Sequence, residues 1–180
     1  MNGQPAVGIK IQLFGPSGAI NLTTDSQGYF TAQNLSPGGY YAYYYNDSDR
    51  QKIGYWRSRT LQVDGTTGAA FPPIDFYQVG MTNVPAMDAR VSLPTTFQWV
   101  PQTQTVQYYI FEVHSAPGKS FTNTYMSARL PGDATSFTWD GSGANGALDP
   151  NNRYFWGVYW NAGPAGEGGN LYQAVYFNPQ

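Results

Sequence analysis

Short alternating segments separated by glycine- and proline-rich turns constrain the fold of this chain more than any other feature. Residues 5–14 show the pattern most clearly, because apolar side chains occupy every second position: Val7, Ile9, Ile11 and Leu13. Successive side chains of a strand point to opposite faces, so this period of two predicts a strand with one buried face. The segment 15–18, Gly-Pro-Ser-Gly, predicts a turn, and residues 19–24 form a second candidate strand.

Further segments of this kind follow at spacings of roughly 8–12 residues, which is typical of a sandwich or small barrel. The first half of the chain contains candidate strands at residues 29–32, 40–45, 60–63 and 74–79. The second half contains candidate strands at residues 96–100, 106–114, 136–139, 153–160 and 171–177. No segment has the pattern of a long helix, so we predict an all-β protein.

The composition agrees with β-structure and excludes several classes of protein. Aromatic residues make up 17% of the chain and charged residues only 11%, against roughly 25% charged residues in ordinary soluble domains. The net charge is −2 and the nine basic residues are scattered, so we expect no nucleic-acid partner. No apolar run approaches the roughly 20 residues that cross a bilayer, so we expect no membrane insertion. The chain has no cysteine, which excludes disulfides and thiolate chemistry.

Three segments of the first half carry a family resemblance. In order, they are residues 2–11 (NGQPAVGIKI), 24–30 (TDSQGYF) and 34–40 (NLSPGGY). Together they resemble the carboxypeptidase regulatory-like domain, a transthyretin-like β-sandwich. The resemblance implies a first domain at residues 1–82 that lacks the strand which the family carries before its Asn-Gly-Gln-Pro turn. The neighbouring strand would then expose unpaired backbone groups, so we expect this edge to be open to pairing with another chain.

A second set of motifs lies in the other half of the chain: Phe97-Gln98-Trp99, residues 108–113 and residues 154–158. These residues resemble a fibronectin type III-like domain, which has an immunoglobulin-like fold. The resemblance implies a second antiparallel β-sandwich at residues 83–180, in tandem with the first, with Trp99 and Trp156 in its core. Both families serve mainly as spacers, linkers, adhesion or binding modules of extracellular proteins. The resemblance therefore implies a structural or binding module of a larger secreted or cell-surface protein, located outside the cell.

Residues that could support catalysis are few and scattered. His114 is the only histidine, and no Gly-x-Ser-x-Gly nucleophile motif exists to partner it, so we expect a surface histidine at a strand end. Glu112 and Glu167 are the only glutamates, whereas glycosidases usually need two acidic groups at a set separation. Glu112 lies between Phe111 and Val113 in an alternating strand, so we expect it to point to solvent. We therefore predict that the chain is not an enzyme.

Two oxygen-rich loops are candidate metal sites, residues 47–49 (DSD) and 140–146 (DGSGANG). Calcium favours such ligands, but neither loop matches the calcium-loop pattern and turn formation explains both. We therefore predict no bound metal and no cofactor. Lys10 occupies a strand position from which some related surface modules form an internal isopeptide bond. Its parity is opposite to that of Ile9 and Ile11, so we expect it to face away from the core and to form no such crosslink.

The strongest candidate for a binding site is the aromatic run Tyr-Tyr-Ala-Tyr-Tyr-Tyr at residues 40–45. In the resembled family the position of Tyr40 faces the core, which places Tyr41, Tyr43 and Tyr45 together on the outer face. Exposed aromatic stripes stack on sugars or anchor partner proteins, so we expect a polysaccharide or protein ligand there, with Trp56 as a fourth binding residue. Two interpretations stay open. The stripe belongs to a carbohydrate-binding module attached to a secreted hydrolase, or it is covered by the second domain, the following loop or a neighbouring chain.

Overall fold

The structure, a computed structural model, describes residues 5–47, 49, 52–76, 84–115, 122–170 and 172–178. These residues form fourteen β-strands and one turn of 3-10 helix at Gly163–Ala165, so the prediction of an all-β protein is confirmed. The strands of the first half are β1 (Lys10–Gly15), β2 (Gly18–Thr23), β3 (Gly38–Tyr45), β4 (Tyr55–Arg57) and β5 (Leu61–Val63). Those of the second half are β6 (Ala89–Val91), β7 (Thr95–Gln98), β8 (Tyr108–Ser115), β9 (Thr122–Met126), β10 (Leu130–Pro131), β11 (Ser136–Trp139), β12 (Tyr154–Asn161), β13 (Glu167–Gly169) and β14 (Gln173–Phe177). Within the ranges given above, no helix has the length and apolar character needed to cross a membrane.

The first two strands form an antiparallel hairpin in which the predicted turn connects the predicted strands. β1 pairs with β2 across residues 16–17. The apolar side chains of its inner face are buried: Ile9, Ile11 and Leu13. Val7 is exposed, because residues 7–8 form a turn and the strand begins only at Lys10. Lys10 itself is exposed, in agreement with its predicted parity.

One sheet runs through both halves of the chain. Along its main path the strand order is β10-β8-β12-β13-β4-β3-β1-β2, and each neighbouring pair is antiparallel. The halves join where β13 pairs with β4, with Gly168 opposite Trp56. A Cβ atom on Gly168 would lie 2.4 Å from the carbonyl oxygen of Tyr55 and 2.5 Å from the Trp160 ring, so a larger residue would force these strands apart. The second half therefore extends the sheet edge to edge and does not lie on the face of the first half.

A second sheet, made of β7 and β11, covers one face of the second half. Phe97 of β7 lies 4.7 Å from Phe111 of β8 and 5.2 Å from Trp156 of β12, measured between ring centroids. Both tryptophans that we predicted to be packing residues, Trp99 and Trp156, are buried in this aromatic core. This half of the molecule therefore has two β layers with aromatic side chains between them.

The first half has strands on one side of its core and loops on the other. Residues 29–32, predicted as a strand, pair with no strand, so this prediction is wrong. The predicted turn before them is present and closes locally: the Asp25 carboxylate accepts hydrogen bonds from the backbone N–H groups of Gln27 and Tyr29, at 2.8 and 3.0 Å. The backbone N–H of Asp25 also donates to the carbonyl oxygen of Tyr29, at 2.8 Å. These local bonds use backbone and side-chain groups of the turn itself, and the following residues continue as a loop over the core.

The other predicted strands coincide with β3, β5, β7, β8, β11, β12 and β14, apart from residues at their ends. Residues 74–76 lie in no strand, while residues 77–79 of that candidate and Leu171 of the last one lie outside the described residues. Five short strands were not predicted from the sequence: β4, β6, β9, β10 and β13. Two of these, β4 and β13, form the junction between the halves, so the sequence patterns alone did not reveal that the sheet is continuous.

Candidate binding face

Strand β3 divides its aromatic run between the two faces of the sheet. The inward-facing side chains are buried: Tyr40, Ala42 and Tyr44. The outward-facing side chains are Tyr41, Tyr43 and Tyr45. Tyr45 is 65% exposed, and the other two are half-buried. The alternation of the run therefore places the three tyrosines on the outer face, as predicted.

Trp56, the fourth predicted binding residue, lies on the inner face instead. In the register between β3 and β4 it stands opposite Tyr44, and residues opposite each other in paired strands share a face. Its side chain is 1% exposed, and its Nε1–H donates a 2.8 Å hydrogen bond to the carbonyl oxygen of Ala165. This corrects the predicted placement of Trp56. Because Trp56 is paired with Tyr44, its side chain points to the same inner face of the sheet. It therefore lies on the opposite face from Tyr41, Tyr43 and Tyr45.

The strand register continues the outer face of β3 into the second half. Cross-strand neighbours place one row of side chains over five strands: Tyr43, Arg57, Glu167, Asn161 and Tyr108. Asn161 is buried, at 4% exposure, so the accessible side chains of these five are Tyr43, Arg57, Glu167 and Tyr108. Two further positions extend this row over the first hairpin: Gln12 and Asn21. Neighbouring strands lie about 4.8 Å apart, so these seven positions, which we call the long row, span about 29 Å.

A second row, rich in aromatic residues, lies beside the long row on the same face. It consists of Tyr45, Tyr55, Gly169, Tyr159 and Ile110. The Tyr55 ring lies over Gly169, where a Cβ atom would be only 2.5 Å from a ring carbon. We call the two rows, together with Phe14 and Tyr41, the tyrosine-rich face.

Contacts within this face hold a cation and an anion side by side. Tyr41 stacks on Phe14 with a centroid distance of 5.0 Å and an interplanar angle of 11°, and the Arg57 guanidinium lies 4.5 Å from the Tyr41 ring centroid. Nη1 of Arg57 is 4.0 Å from Oε1 of Glu167, and the other carboxylate oxygen accepts a 2.7 Å hydrogen bond from the Tyr159 hydroxyl. The Arg57 side chain is 50% exposed and that of Glu167 is 28% exposed, so both groups are positioned and still accessible.

Glu112 lies on the same face but is covered. Its Oε2 accepts a 2.9 Å hydrogen bond from the Tyr172 hydroxyl and lies 3.2 Å from Nε2 of His114. The Glu112 and His114 side chains are only 13% and 15% exposed, so the expectations of a solvent-facing glutamate and a surface histidine are wrong. The Tyr172 ring covers this position because Gly157 beneath it has no side chain, and a Cβ atom there would lie 2.7 Å from the ring.

The two glutamates do not form a pair. In the register of β12, Glu112 stands opposite Gly157 and Glu167 stands opposite Asn161. These positions are four residues apart, which corresponds to about 13 Å along the strand direction. Each carboxylate accepts its hydrogen bond from a different tyrosine. The arrangement therefore provides two separate acceptor groups and not one shared acidic site.

The oxygen-rich loop at residues 140–146 is organised by its own backbone. The Asp140 carboxylate accepts a 2.8 Å hydrogen bond from the backbone N–H of Ser142. Hydrogen bonding from the Ser142 side chain, and then from this backbone N–H, lowers the pKa of Asp140. Among the residues that the structure describes, no three histidine, aspartate or glutamate side chains form a group that could hold a metal ion.

The hydroxyl pKa is raised in three tyrosines of the face and in Tyr172, which covers Glu112. Burial raises the pKa of Tyr43, Tyr55, Tyr159 and Tyr172 above the usual value of about 10. The Glu112 carboxylate raises the pKa of Tyr55 and Tyr172 further, because it would repel a phenolate beside it. These hydroxyl groups therefore stay protonated at neutral pH, and those of Tyr159 and Tyr172 donate hydrogen bonds to Glu167 and Glu112.

Sequence reasoning identified the three tyrosines of β3 but not their partners across the sheet. Arg57, Tyr55 and Glu167 lie on strands of three residues, too short to show an alternating pattern. Tyr159 offered a usable signal, because it alternates with the buried Val158 and Trp160 in a predicted strand, which places it on the outer face.

No protein-family model matches this chain, and the search of curated proteins finds no significant match. The resemblances to the carboxypeptidase regulatory-like and fibronectin type III-like domains therefore stay predictions that rest on the residues quoted for them.

Proposed function

We propose that this chain is a non-catalytic binding module of a larger secreted or cell-surface protein, and that its tyrosine-rich face binds a neutral polysaccharide. The observation that carries the proposal is the row of outward aromatic and hydrogen-bonding side chains that crosses both halves on one sheet. The division into a transthyretin-like domain at residues 1–82 and a fibronectin type III-like domain at residues 83–180 is part of the same proposal, as is attachment to a secreted hydrolase.

The chemistry of the face suits a polyhydroxylated ligand. Tyrosine presents an apolar ring and a polar tip, so it can pack on the C–H groups of a sugar ring and bond to its hydroxyls. A sugar hydroxyl both donates and accepts hydrogen bonds. The Glu167 carboxylate accepts, the Arg57 guanidinium donates, and the Gln12 carboxamide does both.

The charge and length of the face favour a neutral chain. Arg57 and Glu167 lie side by side and offset each other's charge, so the centre of the long row attracts neither anions nor cations strongly. The long row spans about 29 Å, which suits an extended polymer better than a single sugar.

Affinity electrophoresis in gels that contain soluble neutral polysaccharides, with an anionic polysaccharide for comparison, tests the proposal. We expect retardation by at least one neutral polymer and a loss of affinity of about tenfold in Tyr43→Ala, because aromatic anchors carry much of the energy at such surfaces. Tyr29→Ala is the matched control, since Tyr29 is also a tyrosine, is 65% exposed and lies away from this face.

Two results would contradict the proposal: no retardation by any polysaccharide in a broad panel, or equal affinities of Tyr43→Ala, Tyr29→Ala and the unmodified chain.

Pairing with a protein strand is the second candidate function, and the position of β2 favours it. β2 ends the main path of the sheet and pairs with β1, and all of its six residues except Leu22 are exposed. An exposed edge of this kind can accept another strand. Light scattering over a range of concentrations tests this idea with the chain itself as partner. Association that is abolished by Ile20→Lys would support it, and a concentration-independent monomer mass would count against self-pairing.

A further inference from the structure

Basic side chains are concentrated on the outer face of the sheet, where the tyrosines lie. Of the seven lysines and arginines that the structure describes, six lie on this face or reach it: Lys10, Arg57, Arg59, Arg90, Arg129 and Arg153. Among the eleven carboxylates, Glu112 and Glu167 lie on the face and Asp88 is bound to Arg153. The other eight are aspartates in loops and turns, so the outer face has an excess of positive charge although the net charge of the chain is −2.

Two of these arginines meet at the end of the long row where Tyr108 lies. The guanidinium of Arg129, which directly precedes β10, lies 4.3 Å from the Tyr108 ring centroid. Arg59 follows β4, and its Nη2 lies 3.5 Å from Oδ1 of Asn161. Because Asn161 stands opposite Tyr108 in the strand register, the two guanidinium groups flank one pair of neighbouring positions.

The charges of both arginines are available to a ligand. Arg59 and Arg129 are exposed, and neither forms an ion pair with any carboxylate of the described residues. Glu167, the acidic member of the long row, is already engaged by Arg57 at 4.0 Å and by the Tyr159 hydroxyl. The charge balance found at the centre of the row is therefore absent from this end.

Aromatic surface lies directly beside the two guanidinium groups. The rings of Tyr108 and Tyr159 have centroids 6.3 Å apart and are tilted by 37°, and both side chains are half-buried, so part of each stays accessible. A sugar ring that packs on Tyr108 would place a substituent beside Arg129. The N–H groups of a guanidinium lie in its plane, so stacking on a ring leaves them able to bind a carboxylate.

We infer that this end of the long row is a subsite for an acidic sugar, a hexuronate or a similar ring with one carboxylate, within an otherwise neutral polysaccharide. The inference rests on the proposed function and names one sugar of its ligand. Arg59 and Arg129 bind the carboxylate, and Tyr108 packs on the C–H groups of the ring. The planar carboxylate suits a guanidinium because its two oxygens can accept a pair of hydrogen bonds.

Methyl β-D-glucuronide and methyl β-D-glucoside test the inference, because they differ only in a carboxylate in place of a hydroxymethyl group. Titrations followed by NMR of the arginine Nε–H groups measure both affinities. We expect the glucuronide to bind about fivefold more tightly, a modest factor because exposed charge pairs are screened by water, and this preference should shrink in concentrated NaCl. Sodium acetate provides the carboxylate without the ring and should bind more weakly than the glucuronide.

Charge-removing variants locate the subsite. Arg129→Gln and Arg59→Gln should each lose most of the preference for the glucuronide while binding of the glucoside stays unchanged. Arg90→Gln is the matched control, since Arg90 is also exposed and lies 5.0 Å from the ring centroid of a tyrosine, Tyr176. Tyr176 follows the residue opposite Tyr154, which is seven residues, or about 23 Å, from Asn161 along β12, so this variant should keep the full preference. Thermal melting checks that each variant is folded.

Four results would overturn the inference: equal affinities for the two glycosides, an affinity for acetate equal to that for the glucuronide (an adventitious ion only), no binding of either glycoside, or an equal effect of Arg90→Gln and Arg129→Gln. Equal glycoside affinities together with retardation by neutral polysaccharides would contradict this inference alone. A glucuronide preference without retardation by any polysaccharide would contradict the proposed function alone.

Discussion

At the scale of single residues, the absence of a side chain decides where aromatic rings can lie. Gly157 and Gly168 are both buried in strands, yet each leaves space that another side chain or strand occupies. Tyr172 lies over Gly157 and so shields the Glu112 carboxylate, while Gly168 admits β4 beside β13. The alternation in the sequence predicted that Glu112 lies on the outer face of its strand. It did not predict that another side chain covers Glu112, because the tyrosine that does so lies 60 residues away in the sequence.

Gly168→Ala should destabilise the fold by about 1–3 kcal/mol, the usual cost of forcing an extra methyl group into a packed site. The new Cβ atom would lie 2.4 Å from a backbone oxygen, which cannot move without disturbing the strand pairing. Urea denaturation measures the change. Gly68→Ala is the matched control, since a Cβ atom there would have no neighbour within 4 Å. Equal stability of the two variants would contradict the packing described for the junction.

The raised pKa values of Tyr55 and Tyr172 predict a loss of stability in alkaline solution. In the unfolded chain these hydroxyls ionise near pH 10, whereas the folded state keeps their protons to higher pH. Above about pH 10 the native state therefore binds more protons than the unfolded state, and the free energy of unfolding falls as pH rises. Below that range the contribution is fully present.

Urea denaturation between pH 8 and 11 checks this dependence. Tyr172→Phe should show a shallower decline than the unmodified chain, because one of the groups responsible is gone. Tyr45→Phe, at a 65% exposed position, should retain the original slope. A stability that stays constant up to pH 11 would be inconsistent with buried, protonated hydroxyl groups.

At the scale of elements, long strands were predictable and short ones were not. Strands β3, β8 and β12 each have eight residues with alternating or aromatic composition, which is enough to reveal a period of two. Strand β13 reads Glu-Gly-Gly and has no intrinsic preference for β-structure. It is a strand because β12 and β4 pair with it on either side, and tertiary pairing of this kind leaves no local pattern.

The indole N–H of Trp56 connects β4 to the 3-10 turn of the other half, so this hydrogen bond should contribute measurably to the free energy of unfolding. Trp56→Phe removes the donor of the 2.8 Å hydrogen bond to the Ala165 carbonyl oxygen, so that oxygen loses this hydrogen bond. Trp160→Phe is a well-matched control, because the Trp160 ring is equally buried and its Nε1 has no partner within the described part of the chain. We expect Trp56→Phe to be the more destabilising by about 1 kcal/mol in urea denaturation. The reverse order would argue against this contact.

At the scale of the whole molecule, one continuous sheet joins two halves that the sequence motifs predicted to be separate domains. The motifs predicted two units in tandem, and the composition gives no sign that strands of one would pair with strands of the other. The pairing of β4 with β13, the Trp56 hydrogen bond and the 3.0 Å bond from Nε of Arg59 to the carbonyl oxygen of Gly163 all cross this junction. Neither half can lose its fold without exposing the edge and side chains of the other.

Equilibrium unfolding should therefore occur in a single transition. Far-UV circular dichroism and tryptophan fluorescence should give the same urea midpoint, and the calorimetric and van't Hoff enthalpies should agree. Fluorescence is informative because Trp56 belongs to the first half and the other four tryptophans to the second. Two resolved transitions would mean that the halves unfold independently despite the shared sheet.

The edge-to-edge junction also has a geometric consequence for recognition. A polymer lying from Tyr43 to Tyr108 would cross five strands at intervals of about 4.8 Å, over about 19 Å. On four of these strands it would meet an accessible side chain, because Asn161 on the remaining strand is buried. Since backbone hydrogen bonds fix the spacing of the strands, this face would favour polymers whose repeat length matches that spacing. A polymer with a different repeat length would be displaced further from the side chains at each successive strand.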